Sequence, residues 1–294
     1  MKSTHTLITA LFVASLIFIE SCKSDEATPI TYTLIVGNRT SGKFYSVNET
    51  TGATKEIFTP TYNGATLTEV RAVVYHPKKN LFYFAQNTEG LTTGNALGNL
   101  YSMNPTTKLS TLINDNSTSK LIYAIGNWSI AKDDSLIGLG LLRTGLGSSI
   151  VKFGTDGKQN LKPVTSNFCC GLGMLYDSKT NKFILSNDGG YKNKIYLKDL
   201  DAATGVLTNE KIITTFTGFP EDFSVSSSLS LKAMAQNGTN APIYGLIFNG
   251  ISTSKKTYLV KVDLTALTAT YISTIGADNN NQYNNLTYAP STSF

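Results

Sequence analysis

The chain has 294 residues and a formal net charge of +5, with 41% hydrophobic, 10% aromatic and 15% charged residues. The charged share is well below the ~25% of an ordinary soluble domain, and the aromatic content is too high for a disordered chain. Abundant Gly, Tyr, Phe, Thr, Ser and Asn exclude a helical bundle, and no Lys/Arg cluster marks a nucleic-acid partner.

Residues 1–21 read as a processing segment. Lys2 supplies a positive start, Leu7 to Ile19 is almost wholly apolar, and Ser21-Cys22 follows. The run is shorter than the ~20 residues a membrane-spanning helix needs. Ile19-Glu20-Ser21-Cys22 resembles the lipobox of bacterial lipoproteins, with Glu20 departing from the usual small residue. Lys23-Ser24-Asp25-Glu26 is similar to the acidic tract of surface-exported lipoproteins of the Bacteroidota type. This resemblance implies acylation of Cys22, a membrane partner reached through that lipid, and a bacterial outer-membrane or cell-surface address. The other reading is an ordinary secretory signal with an unmodified Cys22. Residues 22–30 then form a tether, and 31–294 one domain.

Beyond the tether, apolar residues alternate with period two between Gly/Asn/Asp turns, the pattern of short strands. An aromatic strand followed by Asn or Asp and a Thr/Gly turn recurs. It reads Phe44-Tyr45-Ser46-Val47-Asn48-Glu49-Thr50-Thr51-Gly52, then Leu100-Tyr101-Ser102-Met103-Asn104-Pro105-Thr106-Thr107-Lys108. Further copies lie around Gly154, Asp201 and Asp263, so the spacings are 56, 50, 47 and 62 residues. The Asn/Asp side chain bonds the backbone two residues on, which is turn chemistry. Such a period holds four short strands. The expected fold is therefore all-β: a β-propeller of five four-stranded blades, with six blades as the alternative. The predicted blades are Tyr32–Phe58 completed by Tyr283–Pro290, then residues 69–113, 122–165, 168–216 and 223–275. In this scheme the C-terminal strand closes the N-terminal blade.

With strands lettered A to D from axis to rim, the A–B and C–D turns are short and the B–C and D–A connections more often long. The long ones share one face, around the channel mouth, and that face is the expected binding surface. Its candidate ligand-binding residues are Arg71, Tyr123, Trp128, Arg143, Phe168, Cys169, Cys170, Tyr191, Phe219 and Tyr283, with Asn127 and Asn284 beside them. Aromatic platforms with amide, carboxylate and Arg partners suit a glycan, a peptide or a partner protein. Trp128 and Tyr123 read equally as blade-to-blade core, and Arg71 as a structural partner of Glu69. Cys169 and Cys170 read either as a vicinal disulfide in an oxidising envelope or as two buried thiols.

No cofactor fingerprint and no metal-ligand spacing is present, so neither a cofactor nor a metal is expected. His76 is the only His after the first 21 residues and sits in a His-Pro turn on the short-turn face, which discounts a nucleophilic triad. The surviving catalytic route is a carboxylate pair around the axis, from Glu69, Asp188, Glu221 and Asp222. A binder is preferred; a carbohydrate-active hydrolase, glycosidase or lactonase, is the alternative. Asp134-Ser135-Leu136 resembles an O-glycosylation site of Bacteroidota envelope proteins but reads first as a plain turn.

Overall fold

Consecutive residues of the inner strands are apolar at both parities, so these strands are buried on both faces. Leu34, Ile35 and Val36 are each at most 1% exposed. In the computed structural model the described residues are 30–87, 98–114, 121–123, 127–142, 148–154, 159–164, 171–187, 193–223, 229–249, 256–275 and 283–294.

Blade 1 begins with β1 (Tyr32–Asn38), β2 (Phe44–Val47) and β3 (Thr54–Phe58), followed by a small hairpin of β4 (Thr61–Tyr62) and β5 (Ala65–Thr66). Blade 2 is β6 (Val70–His76), β7 (Leu81–Asn87), β8 (Gly98–Met103) and β9 (Ser110–Asn114). Blade 3 is β10 (Leu121–Tyr123), β11 (Trp128–Ile130), β12 (Leu136–Leu142), β13 (Ser148–Phe153) and β14 (Gln159–Pro163). Blade 4 is β15 (Gly171–Asp177), β16 (Lys182–Asn187), β17 (Ile195–Asp201) and β18 (Leu207–Ile213). After β19 (Thr215–Thr217), blade 5 is β20 (Leu229–Gln236), β21 (Ile243–Asn249), β22 (Lys256–Asp263) and β23 (Thr268–Ile275). The last strand, β24 (Tyr283–Pro290), pairs antiparallel with β1, Leu34 opposite Tyr288. The sheet orders β24-β1-β2-β3, β6-β7-β8-β9, β10/β11-β12-β13-β14, β15-β16-β17-β18 and β20-β21-β22-β23 make five blades. The innermost strands touch in sequence, β24 with β6, β6 with β11, β11 with β15, β15 with β20 and β20 with β24. The ring closes on itself with the C-terminal strand inside the N-terminal blade, as the repeat predicts.

Each seam between blades has its own core. Ile35, Phe44, Phe58, Phe82 and Phe84 fill the seam of blades 1 and 2, with Phe44 stacked on Phe58 at 4.7 Å. Ala72, Val74, Leu100, Trp128 and Phe153 fill the next seam, and Ile137, Leu139, Met174 and Phe183 the one after. Blades 4 and 5 meet through Leu197, Ile213, Leu231 and Tyr258, and blades 5 and 1 through Leu246, Leu259, Leu34 and Val36. Alternate residues of one strand thus serve opposite seams, which is why charge is scarce: little of each sheet meets water.

The repeat turn is seen at four blades. The side-chain Oδ1 of Asn48, Asn104, Asp201 and Asp263 accepts from the backbone N–H groups two and three residues on, at 2.7–3.2 Å. The fifth residue of each turn has positive φ: Gly52 69°, Lys108 63°, Gly205 75° and Leu267 55°. Those same backbone bonds hold Asp201 and Asp263 below the usual carboxylate range.

Three details depart from the sequence reading. The connection from blade 1 to blade 2 carries the β4–β5 hairpin, and Thr61 bridges to Leu109 at the rim of blade 2. Part of the segment assigned to the end of blade 4 leaves that blade: β19 pairs parallel with β23 and adds a fifth strand to the rim of blade 5. The inner strand of blade 3 is split, β10 and β11 pairing separately with β12. The Asp134-Ser135-Leu136 turn is also not a free hydroxyl: Ser135 is 6% exposed and donates to Asp133 at 2.6 Å.

Candidate ligand site at the mouth of the ring

The mouth of blades 1 and 2 is assembled by local backbone choices. Gly42 (φ 71°) lies against the Leu67 carbonyl so closely that a Cβ would sit 1.9 Å from it. Only glycine lets the β1–β2 turn press onto the connection entering blade 2. Val70 then donates its N–H to the Arg39 carbonyl at 3.0 Å. Glu69 (φ 55°) and Ala72 (φ 53°) both have left-handed backbone, and the β6–β7 register shifts between Arg71 and Val74. A bulge of this kind re-aims side chains at the start of an inner strand.

The result is a charged cluster at the channel entrance. Arg39 Nε donates to Glu69 Oε2 at 2.6 Å, and Arg71 Nη2 lies 3.9 Å from the same oxygen. Arg71 is 8% exposed. From β24, Asn285 Nδ2 donates to the Val70 carbonyl at 3.1 Å and to Asn284 Oδ1 at 2.8 Å. Asn285 is 1% exposed and its Oδ1 has no partner among the described residues. Tyr283 stands edge-on to Tyr45, ring centroids 6.1 Å apart. Burial and the neighbouring Tyr283 raise the Tyr45 phenol above its usual range.

The predicted residues therefore separate into groups. Glu69, Arg71, Tyr283 and Asn284 lie at the mouth of blades 1 and 2, joined by Arg39 and Asn285, which the sequence reading did not single out. Trp128 is 3% exposed and stands edge-on to Phe153 at 5.3 Å, in the seam of blades 2 and 3. Tyr123 lies in β10 opposite Leu141. Phe219 is not at the axis: it stacks on Phe223 at 3.9 Å and packs against Tyr258 and Tyr271 of strands β22 and β23. Asp222 is drawn to the same side by an ion pair with Lys256, the first residue of β22, and Glu221 beside it is exposed. Burial first, then Asp222, pushes Tyr258 up to about 12. A Glu221/Asp222 contribution to an axial carboxylate pair is thereby corrected: the aromatic cluster of the β19 segment carries these acids out over blade 5. Cys22, Arg143, Phe168, Cys169, Cys170, Asp188 and Tyr191 lie outside the described residues.

Gly173 is glycine for a packing reason. Ser186 Oγ donates to the Leu231 carbonyl of blade 5 at 2.5 Å and accepts from Gly173 N–H at 2.8 Å, and a Cβ on Gly173 would strike Leu231 O at 2.4 Å. Blades 4 and 5 approach too closely there for a side chain. Among the described residues no group of three or more His, Cys, Asp or Glu could hold a metal ion.

No protein-family model matches the chain, and no curated protein does. Solved structures share the fold. A GH43 β-1,3-galactosidase with galactodeoxynojirimycin is 10% identical, with 82% of this chain and 90% of that one covered and a TM-score of 0.55. An exo-β-1,3-galactanase from Clostridium thermocellum is 10% identical at a TM-score of 0.56, with 85% of this chain and 61% of that one covered. A nidogen/laminin complex is matched at 9% identity and a TM-score of 0.50, covering 89% and 99%. The propeller is similar to that of glycosidases; at these identities the likeness is one of fold.

Proposed function

We propose that the chain is a lipid-anchored propeller of the bacterial outer membrane or cell surface that binds an extracellular ligand at the mouth face. The ligand is a glycan, a peptide or an exposed segment of an envelope protein. The observation that carries this reading is the Arg39–Glu69–Arg71 cluster with Asn285. Two guanidiniums and a buried amide are held by bulged, left-handed backbone at the entrance of the inner strands. Strained backbone and partly unsatisfied buried groups cluster where proteins bind things. The fold accommodates such a role: one structure it resembles is a complex of nidogen with laminin.

The test is thermal-shift and calorimetric screening of residues 31–294 against glycans, peptides and metabolites, repeated on Arg71→Ala. A ligand whose binding weakens at least tenfold in the variant supports the reading; no stabilising compound in the panel sinks the small-ligand form of it. Anchoring is tested separately. Labelled palmitate should enter the wild-type protein in a Bacteroidota host and be lost from Cys22→Ala.

The second reading, a carbohydrate-active hydrolase, is favoured by the likeness to GH43 β-1,3-galactosidases and galactanases. It needs two convergent carboxylates, of which Glu69 and Asp188 are the remaining candidates. Release of galactose from β-1,3-linked galactosides, abolished in both Glu69→Gln and Asp188→Asn, would establish it.

A further inference from the structure

Blade 3 holds buried polar groups that the fold itself does not use. Asn127 is 2% exposed, and neither its Nδ2 nor its Oδ1 has a hydrogen-bond partner among the described residues. The indole N–H of Trp128, 3% exposed, and the hydroxyl of Ser149, 0% exposed, are in the same condition. Register places Trp128 and Ser149 together, and Asn127 directly precedes Trp128 at the start of β11. Trp128 is opposite Gly138, Gly138 opposite Val151, and Gly140 opposite Ser149. Residues paired across an antiparallel ladder share a face, and so do residues two apart. Trp128, the two glycines and Ser149 therefore line one face of blade 3. It is the face turned to blade 2, because Trp128 and Val151 pack there with Ala72, Ala85 and Leu100. Arg71, opposite Ala85, stands on the facing side of blade 2.

An unmade hydrogen bond to a buried group is costly, and native proteins keep few of them. Four such atoms on three side chains, two consecutive at the start of inner strand β11 and the third on β13, mark a place built for something else to complete. The set is uncharged and mixes donors with acceptors. Asn127 offers an N–H₂ and a carbonyl side by side, Trp128 a donor, and Ser149 a group that does both. Hydroxyls, which also donate and accept, are the matching chemistry, and an amide edge reads two adjacent ones at once.

We infer that Asn127, Trp128 and Ser149 form the inner part of the ligand site and bind a neutral, polyhydroxylated ligand, a sugar, with Asn127 reading a pair of adjacent hydroxyls. This rests on the mouth-face reading and sharpens it: the ligand is a glycan, and its recognition extends below the charged entrance.

Trp128 is the chain's only tryptophan, so it reports on this site directly. The experiment titrates residues 31–294 with galactose, glucose, mannose and xylose under selective tryptophan excitation, with calorimetry in parallel. It is repeated on Asn127→Leu and Ser149→Ala. A saturable change in Trp128 emission with at least one sugar is expected. Asn127→Leu should weaken that sugar at least tenfold while its melting temperature equals or exceeds the wild-type value, because it removes an uncompensated amide. Ser149→Ala should weaken it several-fold and serves as the variant of record if Asn127→Leu does not fold. Unchanged sugar affinity in the folded variants, or sugar binding that leaves Trp128 emission unmoved, overturns the inference and leaves these groups to ordered water. If Arg71→Ala abolishes binding of a peptide or protein while no sugar binds, the entrance reading stands and this one falls. If wild type binds nothing in either panel, both fall.

Discussion

The two faces of the ring are built on opposite principles. On the short-turn face many described polar groups are answered locally. Four Asx-locked turns satisfy their own backbone, and Tyr75 and Tyr176 each donate to the Asn five residues on at 2.8 Å, Asn80 and Asn181. Lys78 reaches Asp134 and Lys152 reaches Asp133 across turns. On the mouth side the backbone is bulged and left-handed at Glu69 and Ala72, and Asn285 and Asn127 keep buried atoms without partners among the described residues. A closed ring lets one face specify the fold while the other tolerates cost for binding, because the seams hold the strands in place either way.

The largest test of this division concerns ring closure. A chain ending before β24 loses the inner strand of blade 1 together with buried Leu286 and Ala289. It should not fold, and near-ultraviolet circular dichroism should show no fixed aromatic signal. Folding of such a chain would break the claim that closure supports the strained face.

The mouth cluster comes next. Glu69→Gln leaves Arg71 buried with a weakened partner and should cost about 1–2 kcal/mol, above the range of an exposed pair because one member is nearly buried. Urea denaturation measures it, and Arg39→Gln should cost less. Equal effects would mean that Arg71 does not depend on Glu69.

On the opposite face, Asn48→Ala removes two side-chain bonds to exposed turn amides and should cost about 1 kcal/mol. Asn104→Ala should match it, since the turns are copies. Ligand affinity should not change in either, which separates the faces functionally.

The smallest effects are in pH. At the seam of blades 5 and 1, burial first and then the nearby Glu49 raise the Tyr244 and Tyr288 phenols, Tyr244 from 10.0 to about 12. A group raised on folding contributes stability below its unfolded pKa and loses it as pH climbs to the folded value. Stability should therefore decline between about pH 10 and 12, and more shallowly in Tyr244→Phe, as read from urea midpoints. At the acid end, bonding to Lys152 and then Ser135 lowers Asp133 from 3.8 to about 2. Its contribution is present above 3.8 and is lost as pH falls to about 2, a limb absent in Asp133→Asn.

Much of the short-turn face was legible in the sequence because its chemistry is local. Asn48, Asn104, Asp201 and Asp263 bond within their own turns, so a repeated string implies a repeated geometry. The companion bonds Tyr75–Asn80 and Tyr176–Asn181 are equally local, spanning five residues each, though only the structure revealed them. The mouth was legible in part. Glu69 and Arg71 are two residues apart and suggest each other, but Arg39 joins them from another connection, and Asn285 reaches Val70 across 215 residues.

Phe219 and Asp222 show why proximity in sequence misleads. They precede an inner strand and so were placed at the axis, yet β19 pairs with β23 and the ring of Phe219 inserts among Tyr258 and Tyr271. Burial of an aromatic cluster outweighs the shortest route of the chain.

By itself the sequence determined the all-β class, the blade period, the turn chemistry and the pairing of the last strand with the first. Each follows from strand alternation or from contacts a few residues long. The tertiary structure decided the predicted five blades over the alternative six, the rim path of residues 215–223, and which polar groups meet at the mouth. These depend on how seams pack side chains from different blades, and no local pattern encodes which distant partner a buried group will find.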